Sequence, residues 1–153
     1  MRARESAGPV KPFGAVKLRR CLLSGSLLGA FWASACHTGP SLEAYREHLA
    51  ETAGSSAQDC GLVMRGSARA DAVSCAGAAL RDHRPFFVAF QVMGIDSQIV
   101  HGLAVNANGG ATQFSWDSDK YGGRYGFKTE SWIWEKPCPG PSVADDERPI
   151  RCT

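Results

Sequence analysis

The chain has 153 residues, 44% of them hydrophobic and 21% charged, with a formal net charge of +2. Its length fits one domain with accessory segments, and its hydrophobic content argues against wholesale disorder. The charge is unevenly placed: six of the 17 bases but one of the 15 acids precede Cys36, leaving 11 bases against 14 acids from Cys36 onward, a net of −3. That balance lacks the basic footprint of a nucleic-acid binder, so nucleic acid is rejected as a partner.

The N-terminal part reads as a delivery signal. Lys17, Arg19 and Arg20 form a positive stretch, and after Cys21 the run LLSGSLLGAFWASA is uncharged and mostly apolar for 14 residues. It ends in Ala33-Ser34-Ala35 just before Cys36. Charge, a short apolar core and a small-residue terminus are the three parts of a secretory signal. As a helix the run spans about 21 Å against the roughly 30 Å hydrocarbon core, too short for a permanent transmembrane helix. The polar stretch RARESAGPVKPFGAV makes the leader long. If Val16 is a GTG start codon, the product begins Met-Lys-Leu-Arg-Arg, with a leader of normal length.

With Ala33-Ser34-Ala35-Cys36 standing where a lipobox stands, the leader resembles that of a bacterial lipoprotein precursor. The resemblance covers the leader alone. It implies that Cys36 is diacylated on sulfur, becomes the N-terminus and anchors the chain to a membrane leaflet of the cell envelope. The same Ala-x-Ala also suits ordinary signal peptidase, which would release a soluble periplasmic or secreted protein beginning at Cys36.

Cysteine arithmetic supports the anchor. Once Cys21 leaves with the signal, Cys36, Cys60, Cys75, Cys138 and Cys152 remain, an odd set that is awkward for an exported protein. Lipidation of Cys36 leaves four, suited to an oxidising compartment. Sequence proximity favours Cys60–Cys75 and Cys138–Cys152 among the three connectivities, each closing a loop of about 15 residues worth roughly 3 kcal/mol in the chain-entropy model. No Cys-x-x-Cys or Cys/His spacing points to zinc, and no metal or cofactor is expected.

In chain order, 36–58 reads as an anchor spacer containing a short amphipathic helix at 41–53, with Leu42, Tyr45 and Leu49 on one side and Gly54 at its end. Residues 59–136 read as the α+β domain. CGLVM at 60–64 is a short strand or extended lead-in. Ser67 reads as the N-cap of a helix from Ala68 to about His83, with Ala72, Val73, Ala76, Ala79 and Leu80 on its apolar face.

The stretch at 85–116 reads as an antiparallel β-meander. In its first strand Phe86, Val88, Phe90 and Val92 share one face; in its second, Ile99, His101, Leu103 and Val105; in its third, Thr112, Phe114 and Trp116. Turns fall at 94–97 and 106–110. A fourth edge strand is expected at 127–135, and one face of the meander is expected to pack on the single helix. The tail at 137–153, with four prolines after Lys136 counting Pro137, is held by its disulfide alone in this reading.

No chemical motif in the chain is specific. Ser97, His101 and Asp96 or Asp117 are the residue types of a nucleophile, base and orienter. Nothing resembles Gly-x-Ser-x-Gly, and the bland reading makes Asp96 and Ser97 turn residues and His101 a half-buried strand residue. No catalytic residue is therefore assigned. Asp117-Ser118-Asp119 offers oxygen ligands two apart, yet the EF-hand position that needs Glu holds Lys128. The aromatic, Gly-rich segment at 121–134 is the best candidate, with Tyr121, Arg124, Tyr125, Trp132 and Trp134 placed to stack on a glycan or grip a protein partner. The chain thus reads as an envelope lipoprotein whose domain binds or supports something without catalysis. The alternatives are a secreted or anchored hydrolase using Ser97 and His101, and a cystatin-like inhibitor module by fold analogy.

Overall fold

The computed structural model describes residues 39–122 and 130–153. Cys36, Arg124 and Tyr125 lie outside these residues. The elements are α1 (Leu42–Ala53), β1 (Gln58–Val63), α2 (Ala70–Arg81), β2 (Phe86–Val92), β3 (Ile99–Val105), β4 (Ala111–Asp117), β5 (Trp132–Pro137), β6 (Ser142–Val143) and β7 (Ile150–Arg151). Five strands form one sheet in the order β1-β2-β3-β4-β5, and β6 pairs with β7 in a small second sheet. The architecture is α+β, as the sequence predicts.

The simple meander is not what forms. Strands β2 to β5 are antiparallel neighbours, but β1 joins β2 in parallel, which makes the sheet mixed. Parallel strands need a crossover connection, and α2 supplies it. β1 also carries a bulge: its register slips between Asp59 and Leu62, at Gly61 with φ 98°. The Asp59 carboxylate accepts the Gly61 N–H at 2.8 Å and holds that turn. One extra residue reverses the side-chain alternation, so Cys60 and Val63 both reach the α2 side while Leu62 packs on the other.

Two helices cover the sheet, one on each face, where a single helix is expected from the sequence. Ser41 caps α1 by accepting the Ala44 N–H at 3.1 Å, and Gly54 ends it with φ 97°. Tyr45 and Leu49 are fully buried, so α1 is an integral layer of the domain and not a free spacer. It packs on Phe87, Ala89, Val100, Ala104, Phe114 and Trp116. Its close approach depends on Gly102. A Cβ at that position would meet the Tyr45 hydroxyl at 2.4 Å and both Leu49 methyls at 2.9 Å. Burying Tyr45 also pushes its phenol above the usual range, and its hydroxyl donates to the Val100 carbonyl at 3.4 Å.

α2 lies against the other face. Ala72, Ala76 and Ala79 are buried there against Phe86, Val88, Phe90 and Leu103, and Val73 and Leu80 flank them. The small side chains permit the close packing read from the sequence. Ser67 does not cap this helix: the N-cap position is Arg69, without a side-chain cap bond, and α2 ends at Arg81, short of His83. The Arg69 guanidinium instead donates to the Asp146 carbonyl at 2.7 Å and the Gln91 carbonyl at 3.3 Å, tying the tail to the end of β2.

Both expected disulfides form, Cys60–Cys75 with Cα atoms 5.6 Å apart and Cys138–Cys152 with Cα atoms 4.9 Å apart. Such bonds belong to an oxidising compartment. The tail is held by more than its staple. Ile150 and Cys138 enter the α2-side core, β6 and β7 pair, and Arg151 forms an ion pair with Asp146. No helix among the described residues is long and apolar enough to cross a membrane.

Candidate functional site

The α2 side of the sheet is only half covered. α2 lies over β1 and β2, and the tail lies over one end of β3 and β4. What stays open is the β4–β5 part of a lattice set by register. Ile99, Asp117 and Trp132 form one row across β3, β4 and β5; His101, Ser115 and Trp134 form the next; Leu103, Gln113 and Lys136 form the third. Side chains directly opposite in such pairs stand about 5 Å apart at Cβ, so the rows are continuous surfaces. Leu103 is buried, the β4 residues are half-buried, and the β5 residues are exposed.

Trp132 and Trp134 project from the same side of an edge strand, roughly 7 Å apart along it, and they are 51% and 43% exposed. Indole rings left in water at this level are not core. Ile133 between them turns to the α1 side and packs there. Lys136 Nζ lies 5.3 Å from the Trp134 ring centre, and Lys120 Nζ lies 5.6 Å from that of Trp132 and 4.8 Å from that of Tyr121. Lys120 also pairs with Glu130 at 3.1 Å. A groove of about 550 Å³ runs along these residues. It adjoins a wider depression, bounded by Arg65, Gln91 and the tail, through His101, Gln113 and Lys136.

His101 is held below its ordinary pKa, first by partial burial and second by the Lys136 charge. It is therefore a neutral ring near pH 7, able to donate from one nitrogen and accept at the other.

The structure does not bring the other candidates into a working arrangement. Ser97 sits in the β2–β3 turn, before the first residue of β3, and His101 is the third residue of that strand. Among the described residues no hydrogen bond joins the two, and none joins His101 to Asp96 or Asp117. The Asp96 carboxylate faces Gly122 instead, where a Cβ would meet it at 2.6 Å. Asp117 accepts the Asp119 N–H at 2.9 Å, Asp119 accepts the Tyr121 N–H at 3.1 Å, and Ser118 accepts the Gln98 N–H at 2.8 Å. This run of acids shapes the end of β4 by satisfying backbone donors. No cluster of three metal-ligating side chains occurs among the described residues.

Tyr121, Trp132 and Trp134 are thus exposed on one region, while Arg124 and Tyr125 fall outside the described residues. The residues missed from the sequence are Gln113, Ser115, Lys120 and Lys136, which complete the surface. Lys136 was legible in principle, since it stands two residues beyond Trp134 and therefore shares its face. The β4 partners were not, because pairing register is a tertiary fact. No protein-family model matches the chain, and neither a curated protein nor a solved structure matches it.

Proposed function

We propose that this chain is an envelope lipoprotein, anchored through lipid on Cys36, whose domain is a non-catalytic module that binds a sugar chain on the open face of its sheet. The observation that carries the reading is the pair of exposed indoles beside a polar row. A pyranose ring presents C–H bonds on its faces and hydroxyls on its rim. Trp134 and Trp132 offer flat, rigid surfaces for the faces at little conformational cost. Gln113, Ser115, neutral His101 and Lys136 stand alongside to exchange hydrogen bonds with the rim. A shallow open groove suits an extended chain, which enters from the side rather than through a mouth. The leader, the odd cysteine count and the two disulfides support export.

The test uses the mature protein purified from its membrane. Intact mass reports lipid on Cys36 and two disulfides together. Tryptophan fluorescence is then titrated with N-acetylglucosamine oligomers and with neutral glucan oligomers. Saturable quenching that Trp134→Ala weakens at least about tenfold supports the reading, since losing a stacked ring costs roughly 1.4 kcal/mol or more. Absence of saturable change with either oligomer, or equal binding by Trp134→Ala, overturns it.

A further inference from the structure

The exposed large apolar side chains are not scattered. Those of the described residues are Met64, Met93, Ile95, Tyr121, Trp132 and Trp134. Because β1 runs parallel to β2 and the others alternate, Met64 follows the end of β1, Met93 and Ile95 lie in the β2–β3 turn, Tyr121 follows β4, and Trp132 opens β5. Register places all five at one end of the sheet. Ile95 is fully exposed and Met93 is 74% exposed, in a turn where a single polar residue would serve as well. The opposite end presents Ser55, Ser56, Asp82, His83, Arg84 and Asn108 to solvent.

The described chain also begins at the apolar end. The Pro40 carbonyl accepts the Ser131 hydroxyl at 2.6 Å and the Trp116 indole N–H at 2.9 Å, which fixes the start of the fold beside the first residue of β5. Gly39 is seated against Ser131 so closely that a Cβ would lie 2.2 Å from its carbonyl oxygen. Cys36 is three residues earlier, and three residues reach at most about 11 Å.

We infer that this end of the sheet is a membrane-resting surface: Met64, Met93, Ile95 and Tyr121 sit at the lipid–water interface, with the Cys36 anchor three residues before Gly39, while Trp132 at its margin belongs to the sugar-binding face. The inference rests on the lipoprotein reading for its tether, but the surface has its own chemistry. A tyrosine, with an apolar body and a polar edge, suits the headgroup level, and Met and Ile at a turn tip suit shallow insertion. The charges at this end are mixed, Arg65 and Lys120 against Asp96, Asp117 and Glu130, with Lys120 paired to Glu130, so the contact rests on the apolar side chains and not on headgroup charge. A second contact beside a lipid chain fixes orientation as well as adding affinity. With this end down, the strands rise from the bilayer and the sugar-binding face stands beside it.

Methionine oxidation reads the surface directly, since sulfoxide formation follows exposure. Cys36→Ser protein, which cannot be lipidated, is treated with dilute peroxide with and without excess vesicles of the zwitterionic lipids phosphatidylcholine and phosphatidylethanolamine. Peptide mass then follows Met93 and Met64. The expected result is that vesicles slow Met93 oxidation at least about fivefold. Ile95→Asp should raise the vesicle concentration needed roughly tenfold. Wild-type lipidated protein should show the same protection without excess lipid. Equal oxidation of Met93 with and without vesicles overturns the inference, as does protection that Ile95→Asp leaves unchanged. Intact mass of the wild-type protein decides the anchor separately, so failure of the anchor and failure of the surface are told apart.

Discussion

On its α1 side the sheet is covered across its middle strands β2, β3 and β4, with Leu62 of β1 and Ile133 of β5 half-buried at the margins, whereas on its α2 side it is covered only in part and held there by covalent bonds. The α1 side has no disulfide. It is held by α1, by the close approach at Gly102, and at its β5 edge by His48, which packs edge-on to Phe114 at 5.3 Å and reaches Glu135 at 3.3 Å. The other side has a helix of small residues, two disulfides and a hairpin tail, and it leaves the β4–β5 surface in water. A small domain gains little from one core, so each layer needs its own means of closure. The α1 face uses shape. The stapled face uses cross-links, and these free it to keep polar and aromatic side chains exposed.

Breaking the α1 face should therefore cost the most. Leu49→Ala leaves a cavity under α1 and should lower stability by about 2–5 kcal/mol in urea unfolding. A loss below about 1 kcal/mol would mean that α1 is not an integral layer. Cys138→Ser with Cys152→Ser should cost roughly 3 kcal/mol, and hydrogen exchange should rise first in β6 and β7. If exchange rises equally over α1, the two faces do not differ as described. Gly102→Ala, which sets a methyl against Tyr45 and Leu49, should cost about 1–3 kcal/mol through overpacking. Its melting temperature compared with that of Gly102→Ser would show whether volume alone is responsible.

On the open face the same kind of change should hardly register. Trp134→Ala should shift stability by no more than about 0.5 kcal/mol, because an exposed side chain has little to lose. A large loss would place Trp134 in the core after all. The smallest effect concerns His101. Its folded pKa lies below the ordinary value, so its proton binds more tightly in the unfolded chain. The penalty is absent well above the unfolded value of about 6.5, grows as pH falls through that value, and is complete below the folded pKa. Urea midpoints should fall slightly over that window. His101→Gln should remove this component of the slope, and Lys136→Gln should reduce it.

Much of the fold was legible from particular residues. The alternation of Phe86, Val88 and Phe90 against Phe87 and Ala89 marks a strand buried on both faces, and Ser41 with Gly54 marks both ends of α1. The two short cysteine spacings favoured the pairs that form. The role of Ser67 misled because a good capping residue competes with its local turn, whose amide bonds back to Met64 at 3.1 Å. The parallel β1 was missed for a related reason. A strand, a helix and a strand in sequence do read as a crossover unit, but the bulge at Gly61 disguises the first strand by breaking its alternation.

The sequence by itself determined what local physics decides: which segments are helix or strand, which faces are apolar, and which cysteines lie near enough to pair. Only the tertiary structure decided that α1 joins the core, that β1 runs parallel, and that Trp132 and Trp134 are displayed rather than buried. The physical reason is that burial belongs to pairs of surfaces. An indole on an edge strand is core if a helix reaches it and a platform if none does, and α2 stops over β2.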